Sequence, residues 1–352
     1  MAVVLVLAGC GDEEKKKEGS ADMPEQFGMI ILPSSGQAIV SGEDLTIEFS
    51  LSAEPENFSK VVFKIDGAEI HAEHKFSPSV KHIMSTASMT MGLHTLTTEI
   101  HFTEGSPEIG SVSFLITSDI TPKRYTYIVR NKLRHDTQAY TQGLEFYEGK
   151  LYEGTGLNGK SDLREVDLKT GNVVKSVKLT QEFFGEGITV MEDKIYQLTY
   201  QSNKGFVYDR ISLEKTGEFT YTTEGWGLTH DEDHLIMSDG TNRLFFLDKN
   251  TYERKKVIEV YDNVGPVNML NELEYFNGEI WANVYMTQNI VRIDPETGKV
   301  TGIIDCNDLF DPSSVTYKVD VLNGIAYDAQ TKKIYLTGKL WPNIFEVEIM
   351  EE

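Results

Sequence analysis

The sequence predicts an all-β chain, a five-bladed β-propeller preceded by a small immunoglobulin-like β-sandwich, and three observations carry that prediction. A turn-then-strand motif recurs at Gly143, Gly187, Gly227, Glu272 and Gly324, with spacings of 44, 40, 45 and 52 residues. An internal repeat of that period fixes the architecture before any single element does. Each repeat holds short apolar runs separated by turn signals, four to a repeat, as in a propeller blade. No stretch carries the apolar period of a helix.

At 352 residues the chain is comfortable for two domains. The expected division is 1–22 as a lipoprotein signal remnant and tether, 23–120 as the sandwich and 121–352 as the propeller. A net charge of -22 argues against binding nucleic acid or an anionic lipid surface through charge, since both need a basic face. Partners should be neutral or cationic. With only Cys10 and Cys306 present there is no disulfide framework.

Met1 to Leu7 is an apolar run closing in Leu7-Ala-Gly-Cys10, followed by a charged low-complexity stretch to Gly19. Small residues before a cysteine resemble the lipobox of bacterial lipoproteins, which implies a lipid on Cys10, attachment to a membrane and a periplasmic or cell-surface location. The run is too short to span a bilayer. It also lacks the basic n-region of a signal peptide, so the true start is expected upstream.

Between about Gln26 and Thr117, strands are expected at 29–32, 45–51, 61–65, 94–102 and 111–116, separated by turn signals such as Asp66-Gly67 and Glu104-Gly105. Five of the eight histidines fall here. His94 and His101 are seven apart and would face opposite ways on a regular strand, so solvated strand histidines are expected rather than a metal site. Asp119 to Lys123, holding Pro122, is the boundary. The last repeat has only three strands of its own, and Tyr125 to Val129 is expected to supply its outer strand and close the ring, removing an open edge.

The innermost strands of all blades begin at one end of the axis, so the repeated turns should converge there and gather Gln142, Glu186, Trp226, Asn271, Glu272 and Asn323. An acid, amides and an aromatic wall around a cavity is the usual composition of a small-molecule site. Glu186 lies between Gly185 and Gly187, which let the backbone turn sharply beside it. His230-Asp-Glu-Asp-His234 should be an exposed acidic hairpin turn rather than a metal cluster, and Cys306 a buried small side chain. Taken alone, Lys339 would be a solvated loop lysine.

Thr141-Gln-Gly-Leu144, Phe184-Gly-Glu-Gly187, Glu224-Gly-Trp-Gly-Leu228, Asn271-Glu-Leu-Glu-Tyr275, Trp281-Ala-Asn283, Asn323-Gly-Ile-Ala-Tyr327 and Thr337-Gly-Lys-Leu-Trp-Pro342 occur in this order. Together they closely resemble the plant and bacterial type of glutaminyl cyclase, over about Tyr125 to Ile349. The resemblance implies a five-bladed propeller that converts N-terminal glutamine of peptides to pyroglutamate with release of ammonia, without a catalytic zinc or other required cofactor. Calcium is the structural cation to look for in the central channel. Glu186 is then the general acid/base, Asn271 and Lys339 are its catalytic companions, and Gln142 and Trp226 bind substrate with Phe184, Tyr140 and Asn323. Tyr200 and Tyr285 stand where further aromatics, often tryptophan, are expected. The alternative is a catalytically silent propeller that binds a peptide or a sugar.

Overall fold

The computed structural model describes residues 27–52 and 57–352, so Cys10 and the proposed tether lie outside the described residues. The first part is two facing sheets. One has the order β1 (Gly28–Leu32), β3 (Asp44–Leu51), β6 (Ser79–Ser85). The other has β2 (Gln37–Val40), β8 (Glu108–Thr117), β7 (Gly92–Phe102), β4 (Phe58–Ile65), β5 (Ala68–Glu73). Three of these strands, β2, β5 and β6, are additions to the sequence reading. β5 lies at a sheet edge and is half-buried or exposed throughout, so its sequence shows no clean alternation. Leu45, Ile47 and Phe49 of one sheet interdigitate with Phe63, Leu96, Ile100 and Phe114 of the other, each contributing about 1.5–3 kcal/mol by full burial.

The expectation of solvated histidines fails at His94, which is only 6% exposed. Its Nδ1 lies 2.6 Å from Asp66 Oδ2 and its Nε2 2.8 Å from Thr90 O. Burial disfavours the imidazolium, but the bonds to Asp66 and to the Thr90 carbonyl outweigh it and raise the pKa.

The second part is the propeller. Blade 1 is β10 (Thr141–Tyr147), β11 (Lys150–Thr155), β12 (Asp162–Asp167) and β13 (Asn172–Lys178). Blade 2 is β14 (Gly185–Met191), β15 (Lys194–Thr199), β16 (Lys204–Asp209) and β17 (Lys215–Thr220). Blade 3 is β18 (Leu228–His230), β19 (His234–Ser238), β20 (Arg243–Asp248) and β21 (Arg254–Glu259). Blade 4 is β22 (Leu270–Phe276), β23 (Glu279–Val284), β24 (Asn289–Ile293) and β25 (Val300–Asp305). Blade 5 is β26 (Leu322–Asp328), β27 (Lys333–Gly338) and β28 (Asn343–Glu351), completed by β9 (Lys123–Arg134). β9 pairs antiparallel with β28 from Arg134 to Tyr125. Its first residues also pair in parallel with Gly302 to Ile304 of β25, so one strand closes the ring and zips blade 5 to blade 4. The only helical turn among the described residues is the 3₁₀ segment Pro312–Ser314.

Two local devices repeat. Asp167, Asp209 and Asp248 each end a third strand and Asp294 directly follows one, and all four accept the backbone N–H three residues on, at Thr170, Ser212, Thr251 and Thr297, over 2.8–2.9 Å. These Asx turns set the hairpins to the outer strands. At the axis, inner strands of neighbouring blades form no ladder, so side chains cap their amides. Glu272 accepts from Leu144 N at 3.1 Å and Ile325 N at 2.9 Å, Glu145 from Val190 N at 2.9 Å, and Glu274 from Tyr327 N at 2.8 Å. Glycine permits this convergence: a Cβ on Gly227 would lie 1.9 Å from Asn271 O, and one on Gly187 2.5 Å from Leu228 N.

The sandwich docks on the flank of the propeller. Met91 N donates to Thr297 O at 2.8 Å, Lys299 Nζ meets Asp119 Oδ1 at 2.7 Å, and Tyr261 enters the sandwich core.

Candidate active site

At the head of four inner strands the pairing with the second strand slips by one residue. The slips fall between Thr141 and Gly143, Gly185 and Ile188, Leu270 and Leu273, and Leu322 and Ile325. Each is a β-bulge, which turns a side chain out of the strand's alternation. The bulged segments hold Gln142, Glu186, Asn271 and Asn323.

Tyr140, Phe184 and Trp226 come from the segments leading into β10, β14 and β18, while Tyr200, Tyr285 and Lys339 come from the loops after the second strands. With Gln142, Glu186 and Asn271 these line a cavity of about 170 Å3. A larger groove of about 710 Å3 lies on the outer flank of blades 4 and 5, but its charges are paired among themselves, as in Arg292–Glu279 and Lys333–Glu346. The axial cavity instead gathers the converging polar side chains of Gln142, Glu186, Asn271 and Lys339.

Asn323 is a correction to the sequence reading. It is fully buried and lies behind the cavity wall, its Nδ2 donating to Thr141 O at 3.0 Å and to Gln142 Oε1 at 3.2 Å. Gln142 in turn donates from Nε2 to Glu186 Oε1 at 3.0 Å. The three form a directed chain in which Asn323 sets which way the Gln142 amide faces. Glu272, gathered with the site by its place in the repeat, is an axial cap instead, because both its oxygens point down the channel at amides.

Glu186 is 4% exposed. Burial pushes its pKa well above the ordinary carboxylate value; Lys339 opposes this and Glu224 adds to it. Lys339 is 3% exposed, far from a solvated loop lysine, and burial lowers its pKa while Glu186 and Asp320 pull it back up. Its Nζ lies 4.9 Å from the ring centres of both Tyr140 and Tyr285, held between two aromatic faces. Asn271 Oδ1 is buried in the site with no hydrogen-bond partner among the described residues, an acceptor that only a ligand or water can satisfy.

Beneath the site, Glu153 binds His135 Nε2 at 2.9 Å and Thr141 Oγ1 at 2.7 Å, and His135 Nδ1 meets Trp341 O at 2.8 Å. Burial works against the Glu153 carboxylate, but His135 overcomes it and brings the pKa down to about 2. This buried pair joins the strand carrying Gln142 to the loop carrying Lys339. Asp320, which accepts from Tyr140 OH at 3.2 Å, and Glu224 were not singled out from sequence; Asp320 lies in a long loop with no counterpart in the other repeats.

On the axis, two Glu272 oxygens already serve amides, and no group of three or more His, Cys, Asp or Glu among the described residues is placed to hold a metal ion.

A family model described as glutamine cyclotransferase matches residues 101–349. The chain belongs to the glutamine cyclotransferase family. The match begins inside β7, ahead of the propeller's first strand. A glutaminyl-peptide cyclotransferase of Arabidopsis thaliana is 40% identical over 222 residues, covering 62% of this chain and 69% of that protein. The solved structure of Myxococcus xanthus glutaminyl cyclase is 33% identical, with a TM-score of 0.62 over 66% of this chain and 99% of that one. Within this glutamine cyclotransferase the bulged inner strands carry the motifs on which the sequence resemblance rests.

Proposed function

We infer that this protein is a glutaminyl-peptide cyclotransferase, converting the N-terminal glutamine of peptides to pyroglutamate and ammonia, with Glu186 as the general acid/base. Its family membership and its relatives support the activity. The observation that carries the role of Glu186 is that it is the carboxyl among the residues lining the axial cavity, buried with a raised pKa, held by Gln142 and set within the field of Lys339.

The chemistry needs little else. The α-amine nitrogen attacks the side-chain carbonyl carbon, forming the ring C–N bond, and the amine gives up a proton to ionised Glu186. The tetrahedral intermediate then expels its former amide nitrogen, which leaves as ammonia with the proton from Glu186 as the C–N bond breaks. One carboxyl of raised pKa, taking a proton and then returning it, serves both transfers. The Lys339 ammonium is the group to stabilise the developing oxyanion, and Asn271 Oδ1 offers an acceptor for an N–H of the substrate. Holding both ends of one side chain together in a small cavity draws on the high effective concentration of intramolecular reactions. Ammonia release from a glutaminyl dipeptide, assayed with a chelator present, tests the reading. No release above background would leave the non-catalytic binder.

We also propose that Cys10 carries lipid and tethers the enzyme outside the inner membrane, on the strength of Leu7-Ala-Gly-Cys10. Labelling with a radioactive fatty acid should mark the wild type and spare Cys10→Ser; equal labelling would sink it.

A further inference from the structure

Glu224 sits at the rim of the cavity and grips its wall. Its Oε2 accepts from Trp226 Nε1 at 3.0 Å and its Oε1 from Gln201 Nε2 at 2.9 Å. The intervening backbone is anchored as well, Gly225 N donating to Tyr200 O and Trp226 N to Ser238 O, each at 3.0 Å. The indole packs against Gly240, where a Cβ would come within 2.6 Å of the ring. Its ring meets Tyr200 at 6.4 Å and Tyr285 at 5.5 Å between centres, the latter at 90°. Tyr285 in turn flanks Lys339. The orientation of one rim carboxylate is thus passed through Trp226 and Tyr285 to the buried cation.

We propose that Glu224 is a positioning residue for the cyclisation: by holding Trp226 Nε1 it fixes the aromatic wall against which the substrate's glutamine side chain must fold. The proposal rests on the cyclotransferase reading above. Ring closure requires the amine within about 3–3.5 Å of the carbonyl carbon, and a wall displaced by about 1 Å can cost up to ~10²-fold in rate. A rim carboxylate could instead act by charge alone, and the neutral isostere separates the two roles. Glu224→Gln keeps an oxygen for Trp226 Nε1 and removes the charge.

The test measures kcat and KM on a glutaminyl dipeptide for Glu224→Ala, Glu224→Gln, Trp226→Phe and the double variant E224A/W226F. Glu224→Ala should lower kcat/KM by roughly 10- to 100-fold, and Glu224→Gln should recover most of that loss. The double variant should be no worse than Trp226→Phe alone, because both remove the same tether. Wild-type behaviour in Glu224→Ala, losses that multiply in the double, or a Glu224→Gln as poor as Glu224→Ala would each overturn the proposal. Should Glu224→Ala fail to fold, Gln201→Ala releases one carboxylate oxygen from an exposed position. It should then slow the wild type and leave Trp226→Phe unaffected; equal losses in both backgrounds would again overturn it. A wild type that releases no ammonia defeats the underlying reading, whereas an active wild type with an indifferent Glu224 defeats only this one.

Discussion

Gln142, on the inner strand of blade 1, donates its amide N–H to Glu186 Oε1 of blade 2 at 3.0 Å, although the two are 44 residues apart. The bond gives the acid/base one fixed oxygen and leaves the other for the reaction. It also makes the orientation of the carboxyl depend on Asn323, which sets the Gln142 amide from behind.

The sharpest prediction is for Glu186→Gln, which keeps volume and an acceptor for Gln142 but loses basicity. Ammonia release should fall by roughly 10²- to 10⁴-fold. The melting temperature should stay within a few degrees of wild type, under about 1–2 kcal/mol in a chain of this size. Retention of more than about a tenth of turnover would remove Glu186 from the role, and loss of folding would make the turn acid structural.

Asn323→Ala should act at a distance. It leaves Gln142 Oε1 without its donor, frees the amide to flip, and should lower kcat by up to about 10²-fold through misplacement of Glu186. KM should change less than kcat in steady-state measurements. A variant with wild-type kcat would make Asn323 a packing residue only.

Lys339→Met keeps the length of the stem and its contact with Tyr140 and Tyr285 but removes the ammonium. Turnover should drop by roughly 10²-fold, the scale of losing one oxyanion donor, with the fold retained by circular dichroism. Because burial lowers the pKa of Lys339 and raises that of Glu186, both limbs of the wild-type kcat profile should lie inside the ordinary carboxylate and lysine values. The acid limb should vanish from the residual rate of Glu186→Gln, and an acid limb that persists there would assign it elsewhere.

Glu272→Gln should destabilise without touching chemistry directly. Both Glu272 oxygens accept buried backbone N–H groups, and an amide would turn an N–H toward one of them. Leaving that pair unsatisfied should cost about 1–3 kcal/mol in urea unfolding. An unchanged midpoint would argue that the axial cap is dispensable.

Stability should also fall with pH on the alkaline side. Burial raises the pKa of Glu145 to about 8, against hydrogen bonds from Thr189 and Val190. The folded chain therefore keeps a proton that an unfolded glutamate releases above about 4.3, so the unfolded state binds fewer protons and stability declines as pH rises toward 8. His230, whose pKa burial lowers to about 4, works in reverse only up to about 6.5. Melting temperatures between about pH 6.5 and 8 should decline in the wild type and decline less in Glu145→Gln; equal slopes would contradict the assignment.

The sequence by itself determined the number of blades, because five turn-and-strand motifs at near-equal spacing admit few other arrangements. It also assigned the closing role of Tyr125 to Val129, an orphan strand matched to a blade one strand short, and it gathered Gln142, Glu186 and Asn271 as site residues, whereas Lys339 joined them only through the family resemblance. The Asx-turn aspartates at 167, 209, 248 and 294 were not singled out from sequence, because Asp followed three residues later by Ser or Thr also occurs at 311 and 328. What only the tertiary structure decided is which motif residues reach the cavity. Gln142, Glu186, Asn271 and Asn323 occupy similar bulged positions, and Glu272 follows Asn271 directly. Yet Asn323 is turned behind the wall and Glu272 down the channel, because the groups each meets, Thr141 and Gln142 for Asn323 and the Leu144 and Ile325 amides for Glu272, come from other blades. Strands β5 and β6 and the burial of His94 escaped notice for the same reason. Periodicity reports the burial of a strand along its own axis, whereas a rim carboxylate such as Glu224, or a lysine clasped between two tyrosines, owes its environment to partners tens of residues away.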